Sequence, residues 1–348
     1  MVYIAENEFG REWTISRDGL KFPHQVMFEQ PAESVSPLSL FKSTWKCLNE
    51  LQPEILIIDG YTYSSCWAGL IWAKLNGRKT ILWSSSTWED HPRNFIRESV
   101  KKTFVAFCDS FNTYGIRSRD YLIRLGAEAG NITMIGNVTD SSFYLAQTSA
   151  LRRERHSLAM SLAVAPRNFL YIGRFSPEKN IFVLLKAYRD FKLSGHKEWG
   201  LILVGSGPLN EEMLDFIKTE NLTDVTMPGF VQKTGISQYF AVSDIFVLPS
   251  LSEPWGLVVN EAMAAGLPVL VSINCGCYPD LVKEGSNGFG FEPDRADRLA
   301  ILMRDVADGK YDLESMGRMS LEIISEYTPE NAAVLVSKTI DAVKKRDD

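Results

Sequence analysis

The 348 residues predict an α/β chain of two successive domains, each a parallel sheet with helices on both faces. Short apolar runs of the length of buried strands alternate with longer stretches of helical spacing, and a parallel sheet needs such helical crossovers. The alternation comes as two series. A polar, arginine-rich segment at 144–166, which contains Leu151-Arg-Arg-Glu-Arg-His156 and ends in Ala165-Pro166, separates them and reads as the interdomain connection. Length supports the same division, because it exceeds what one ordinary core accommodates.

In the first series, residues 2–4 form a short strand and 6–18 a polar stretch of little period. Residues 41–51 have helical spacing through Phe41, Trp45, Leu48 and Leu51, and 54–59, four apolar residues between Glu54 and Asp59, looks like a buried parallel strand. A helix at 66–75, a strand at 79–83, a helix at 93–104, a short strand at 110–113, a helix at 118–125 stopped by Gly126 and a strand at 132–135 follow. The second series has strands at 169–173, 200–205, 225–228, 245–248 and 268–272. Its helices lie at 181–191, 210–219, 236–242 and 257–265, the last stopped by Gly266, and 331–345 reads as a terminal helix.

Hydrophobic residues at 45% and charged residues at 23% are the balance of a globular protein. The formal net charge of -6 argues against a general nucleic-acid partner. No uncharged apolar run reaches about 18 residues, and Met1-Val-Tyr-Ile-Ala-Glu lacks the plan of a signal peptide, so a cytoplasmic location is expected. Cys47, Cys66, Cys108, Cys275 and Cys277 read as reduced thiols. Cys275-x-Cys277 has no second pair at ligand spacing, and no metal site is expected.

The chemistry concentrates at 249–288. The strand at 245–248 runs into Pro249-Ser-Leu-Ser-Glu-Pro-Trp-Gly256, and a helix follows. Glu253 precedes that helix and Glu261 lies inside it. Each ionised carboxylate is acceptor-only and suits a vicinal diol, while the free N–H groups of Gly256, Leu257 and Val258 at the helix start suit a phosphate. Diol and phosphate together describe a nucleotide sugar; the plainer reading is a solvated loop Glu and a helix-face Glu.

The stretch resembles the signature of the retaining glycosyltransferases of family 4, in which Glu, seven residues and Glu are followed by Ala-x-Ala-x-Gly-x-Pro-Val. Here Glu261-Ala-Met-Ala-Ala-Gly-Leu-Pro-Val269 stands in that place. Gly276-Cys277-Tyr278-Pro279-Asp280 departs from the family's next element, Gly-Gly-x-x-Glu, by one Cys and a shorter acid. The resemblance covers about residues 54–343. It implies the GT-B fold, two Rossmann-like domains facing across a cleft: an acceptor-side domain at 1–160, a nucleotide-sugar domain at 166–328, and a helix at 329–348 crossing back to the first domain. The family's opening strand, glycine loop and helix have no counterpart here, which implies a first domain that is reduced or lacks its start.

Further residues take roles from the same resemblance. Gly173-Arg174-Phe-Ser-Pro-Glu-Lys179 follows a strand, which puts Arg174 and Lys179 at a sheet edge where doubly wound folds bind ligands and where two cations neutralise a diphosphate. The alternative is a surface salt bridge with Glu178. Gly205-Ser-Gly207-Pro fails as a dinucleotide fingerprint, since Asn210 stands where the third glycine belongs, but matches the family's Gly-x-Gly-Pro turn beside the donor. Phe230 and Val231 fall in the family's nucleobase segment. His91 is the one first-domain histidine near a strand-end cleft, although it lies further from its strand than the family's histidine does.

The implied activity is retaining transfer of a hexose from a nucleoside diphosphate sugar to a hydroxyl acceptor, saccharide or lipid-linked, in surface polysaccharide or glycolipid synthesis. No cofactor and no bound metal are implied, and the sequence has no Asp-x-Asp motif. The alternatives are a donor-binding or partner subunit without transferase activity, and a GT-B nucleotide-sugar epimerase. Finally, Arg93, Arg97 and Lys101 recur every four residues and predict one basic helical stripe, broadened by Lys102 and flanked by Phe95, Ile96, Val100 and Phe104. Such a stripe suits peripheral contact with the anionic inner face of a membrane; the plainer reading is a solvated face paired in part with Glu98.

Overall fold

The computed structural model describes residues 1–5, 22–90 and 93–345. β1 (Val2–Ala5) and β2 (Gln25–Phe28) pair in parallel as a sheet of their own. The chain continues through α1 (Pro37–Leu51), β3 (Ile55–Asp59), α2 (Ser64–Leu75), β4 (Lys79–Ser84), α3 (Phe95–Ala106), β5 (Ser110–Thr113), α4 (Ile116–Arg124) and β6 (Ile132–Met134). Strands β3 to β6 form a parallel sheet in sequence order, and neither β1 nor β2 joins it. Its core gathers Ile58, Leu82, Phe104, Phe111 and Leu122.

The arginine-rich segment, read in the sequence as the interdomain connection, is helical. It forms α5 (Ser141–Arg152) and α6 (Arg155–Ser161). Asp140 caps α5 by accepting from Phe143 N at 3.0 Å, and Tyr144 is fully buried among residues of the second core. Arg155 is a fastener rather than a solvated charge. Its Nη2 reaches Asp244 Oδ2 at 2.6 Å, and the same carboxylate accepts from Arg167 Nε at 2.8 Å and Asn168 N at 2.9 Å. A half-buried acid is tolerable when so many donors meet it.

The second series continues as β7 (Arg167–Ile172), α7 (Ile181–Lys192), β8 (Trp199–Val204), α8 (Asn210–Thr219), β9 (Val225–Gly229), α9 (Lys233–Val242), β10 (Ile245–Leu248), α10 (Leu257–Ala264) and β11 (Val269–Ser272). Then come α11 (Tyr278–Leu281), β12 (Gly288–Phe291), α12 (Ala296–Ala307), α13 (Leu313–Ile324) and α14 (Pro329–Lys344). Of these, α11, β12, α12 and α13 have no counterpart in the sequence reading. The six strands lie in the order β12-β11-β10-β7-β8-β9, all parallel. Strands β8, β10 and β11 are buried at every residue, which is why they read as unbroken apolar runs. α14, capped by Thr328, packs on β5 and β6, where Thr339 Oγ1 meets Thr133 Oγ1 at 2.9 Å.

The basic stripe is also corrected. Asn94 caps α3 by accepting from Ile96 N at 3.0 Å, so Arg93 precedes the helix. Arg93 Nη1 and Lys101 Nζ turn inward to the Tyr121 hydroxyl at 2.8 and 2.7 Å, and both pair with Glu98. Phe104 is in the core.

The two large sheets meet along a seam. Trp255 lies edge-on to Tyr114 with centroids 6.2 Å apart; Asn260 Nδ2 donates to Asn137 O at 2.7 Å; Ser252 Oγ donates to Asp90 O at 2.9 Å. Arg117 donates to Ile273 O, and the Asp280 carboxylate accepts from Ile116 N, at the N-terminus of α4, at 3.2 Å. Burial outweighs that hydrogen bond and the neighbouring Lys283, Arg119 and Arg117, and pushes the Asp280 carboxyl up to about 6. A folded pKa above the ordinary 3.8 means that the folded state holds this proton more tightly. The cost of the charge is therefore absent below about pH 4 and complete above about pH 6. We expect Asp280→Asn to raise unfolding free energy near pH 8 by about 1–2 kcal/mol and to lose that advantage near pH 4. Denaturant titrations at the two pH values check it; a pH-independent difference refutes it.

Candidate functional site

Strand order reverses between β7 and β10, since β8 and β9 lie to one side and β11 and β12 to the other. The loops leaving these two neighbours therefore diverge and open a crevice at their carboxyl ends. Residues 173–180 leave β7 and 249–256 leave β10, so Arg174, Lys179 and Glu253 reach one place from opposite sides. Two hydrogen bonds hold the loops together: Leu251 N donates to Glu178 O at 2.9 Å, and Asn180 Nδ2 donates to Pro249 O at 3.0 Å.

Within the crevice the Lys179 ammonium is paired directly with the Glu253 carboxylate, and both side chains are largely buried. The partner considered in the sequence, Glu178, instead accepts from Ser176 Oγ at 2.5 Å. Arg174 is exposed, its carbonyl held by the Tyr171 hydroxyl at 3.0 Å.

Gly205 and Gly207 owe their place to a close approach between loops. Phe175 N donates to Ser206 O at 2.8 Å, and the two turns lie back to back. A Cβ on Gly205 would stand 1.9 Å from Gly173 O, and one on Gly207 2.4 Å from Phe175 O, so backbone would have to move. These glycines thus set the position of the loop that carries Arg174, a role beyond the access to a ligand that their motif suggests.

Gly256 caps α10 in the left-handed region at φ 98°, so helical geometry begins at Leu257 and the first N–H groups point out of the helix end. Glu261 sits one turn further along. Burial pushes its carboxyl up, and Tyr144 and Lys233 are the groups that oppose the shift. Lys233 Nζ lies 5.4 Å from the Phe143 ring and 5.5 Å from that of Tyr144. Phe230, 37% exposed, and half-buried Val231 follow Gly229 at the end of β9, two strands from the switch point. His91 lies outside the described residues. Cys275 and Cys277 are wholly buried, which pushes both thiols up.

The structure adds residues that the sequence did not single out. Trp255 and Asn260, bonded to each other at 2.8 Å, lie between the two glutamates and carry the seam to the first sheet. Tyr144 reaches the Glu261 region from α5, and no spacing rule links residues so far apart.

Residues 160–321 match the family model of glycosyl transferases group 1. Sulfoquinovosyl transferase SQD2 of Arabidopsis thaliana is 32% identical over 214 residues, 59% of this chain and 39% of that protein. An uncharacterized glycosyltransferase of Haemophilus influenzae is 28% identical over 264 residues, 75% of this chain and 69% of its own. Among solved structures, Anabaena HepE in complex with UDP superposes with a TM-score of 0.73 at 20% identity, covering 92% of this chain and 86% of HepE. The chain thus spans well under half the length of SQD2. Topology and superposition agree on the GT-B fold, and the glycosyl transferases group 1 model matches the part of the chain that holds the crevice, residues 160–321.

Proposed function

We propose that the chain is a retaining, metal-independent glycosyltransferase, which moves a hexose from a nucleoside diphosphate sugar to a hydroxyl acceptor in surface polysaccharide or glycolipid synthesis at the cytoplasmic side of a membrane. The observation that carries the reading is the Lys179–Glu253 pair at the switch point, beside exposed Arg174 and the N-terminus of α10. A diphosphate arriving there exchanges Glu253 for its own oxygens as the partner of Lys179. The carboxylate is thereby released toward the sugar hydroxyls. Similarity to HepE, which has been solved with UDP-glucose, supports a donor of this class.

In this mechanism the bond from the anomeric carbon to the diphosphate breaks, and its electron pair leaves on the phosphate oxygen. Lys179, Arg174 and the N–H groups of Gly256, Leu257 and Val258 stabilise the charge that develops, the place where preorganised donors act most strongly. The acceptor oxygen forms the new bond on the same face, and its proton passes to the departing phosphate, so no protein base is required. Glu261 holds the ribose diol. Phe230 and Val231 border the base, and Gly173, Gly205 and Gly207 hold the loops that surround the phosphates.

A panel of nucleotide sugars should show one that raises the melting temperature, and calorimetry with that donor should be accompanied by its slow hydrolysis. Tight binding with neither hydrolysis nor transfer would point to a donor-binding subunit instead. Arg174→Ala should weaken donor binding and turnover together by about 2 kcal/mol, with partial rescue by Arg174→Lys; unchanged kinetics would remove Arg174 from the site. Glu261→Ala should lower affinity for the free nucleoside diphosphate. Glu253→Ala, which frees Lys179, should leave that affinity unchanged or higher while transfer collapses. Equal loss of nucleotide affinity in both variants would refute the division of roles.

A further inference from the structure

The outward side of α3 carries large apolar side chains that no described element covers. Phe95 is 87% exposed, Ile96 72%, Val100 48% and Phe107, at the helix end, 56%. At 100° per residue these four fall with Ser99, Thr103 and Ala106 in one arc of about 140°. All seven are exposed, and no charged residue lies among them. Exposed Arg97 bounds the arc on one side and exposed Lys102 on the other. The single acid of the helix, Glu98, is turned the opposite way and held by Arg93, Lys101 and Tyr121.

We propose that this face of α3 docks on an anionic lipid surface. Phe95, Ile96, Val100 and Phe107 enter the boundary between headgroups and acyl chains, while Arg97 and Lys102 meet lipid phosphates on either side of the inserted arc. The charge pattern decides for lipid over a second copy of the chain. Two such faces stacked together would set wholly basic margins against each other, whereas anionic headgroups surround an inserted helix on both flanks. Trp88, 41% exposed, stands beside the start of the helix with its ring against Arg93 and Arg124, a residue type that favours the membrane interface. The basic stripe expected from the sequence is replaced here by an apolar arc with basic edges, since Arg93 and Lys101 are engaged inside.

The test needs no activity and does not depend on the donor-site reading. Vesicles of phosphatidylcholine with about one third phosphatidylglycerol should carry the protein down on sedimentation at low salt, less at high salt, and vesicles of phosphatidylcholine alone should carry far less. Phe95→Ser with Ile96→Ser, and separately Arg97→Glu with Lys102→Glu, should each cut the bound fraction at least about tenfold. Leu193→Ser, at an exposed apolar position beside α7, should leave it unchanged. The Phe95→Trp variant should gain a blue-shifted emission with the anionic vesicles. Absence of sedimentation, together with an emission of the Phe95→Trp variant that the vesicles leave unshifted, overturns the proposal. So does a dimer in light scattering that Phe95→Ser with Ile96→Ser dissolves, because the face then belongs to a second copy.

Discussion

The arrangement depends on the reversal of strand order between β7 and β10 in a sheet whose central strands are buried on both faces. Elsewhere in a parallel sheet, loops that leave adjacent strands cross to the same side and cover the strand ends. At the reversal they part, and backbone ends that would otherwise be buried line a crevice. The loops are then held at close quarters. Gly205 and Gly207 permit the turn after β8 to lie against the turn after β7 with no side chain between them, and Asn180 ties the latter to Pro249 after β10. Three neighbouring strands thereby fix where Arg174, Lys179 and Glu253 stand.

The segment from Glu253 to Glu261 has a second duty. Trp255 and Asn260 lie within it, bond to each other, and reach Tyr114 and Asn137 in the first domain. Any shift of one sheet against the other therefore displaces the N-terminus of α10 and both carboxylates. Asp280 adds to the coupling by placing its carboxylate at the N-terminus of α4, where the helix dipole and a free N–H receive it, at the expense of partial burial of a charge. Crevice geometry and relative domain position are in this way one mechanical property.

Charge in this chain is resolved locally. The net charge of -6 says little about either candidate surface, because the acids that matter are engaged: Asp244 by Arg155 and Arg167, Glu98 by Arg93 and Lys101, Glu253 by Lys179. Of these, the last lies where a ligand can displace one partner. The pairing of Glu98 leaves the outer side of α3 without negative charge.

Much of the fold was legible because its signals are local. Buried parallel strands announce themselves as unbroken apolar runs, Gly126 and Gly266 stop their helices, and the two-glutamate segment carries a specific spacing on a strand-loop-helix unit. What local pattern could not yield was the partner of each charge. The run Leu151-Arg-Arg-Glu-Arg-His156 looks solvated until Asp244, 89 residues beyond Arg155, is folded against it, and then the segment is helical. Arg93, Arg97 and Lys101 share a helical period, but the Tyr121 hydroxyl on α4 draws the first and third inward and leaves Arg97 alone. Lys179 pairs with Glu253 rather than neighbouring Glu178 for the same reason. The sequence by itself determined the layers and the place of the crevice, which follow from hydrophobic period and chain order. Only the tertiary structure decided the pairings and the seam, because an ion pair or an interdomain hydrogen bond depends on distance in space, which residue spacing does not encode.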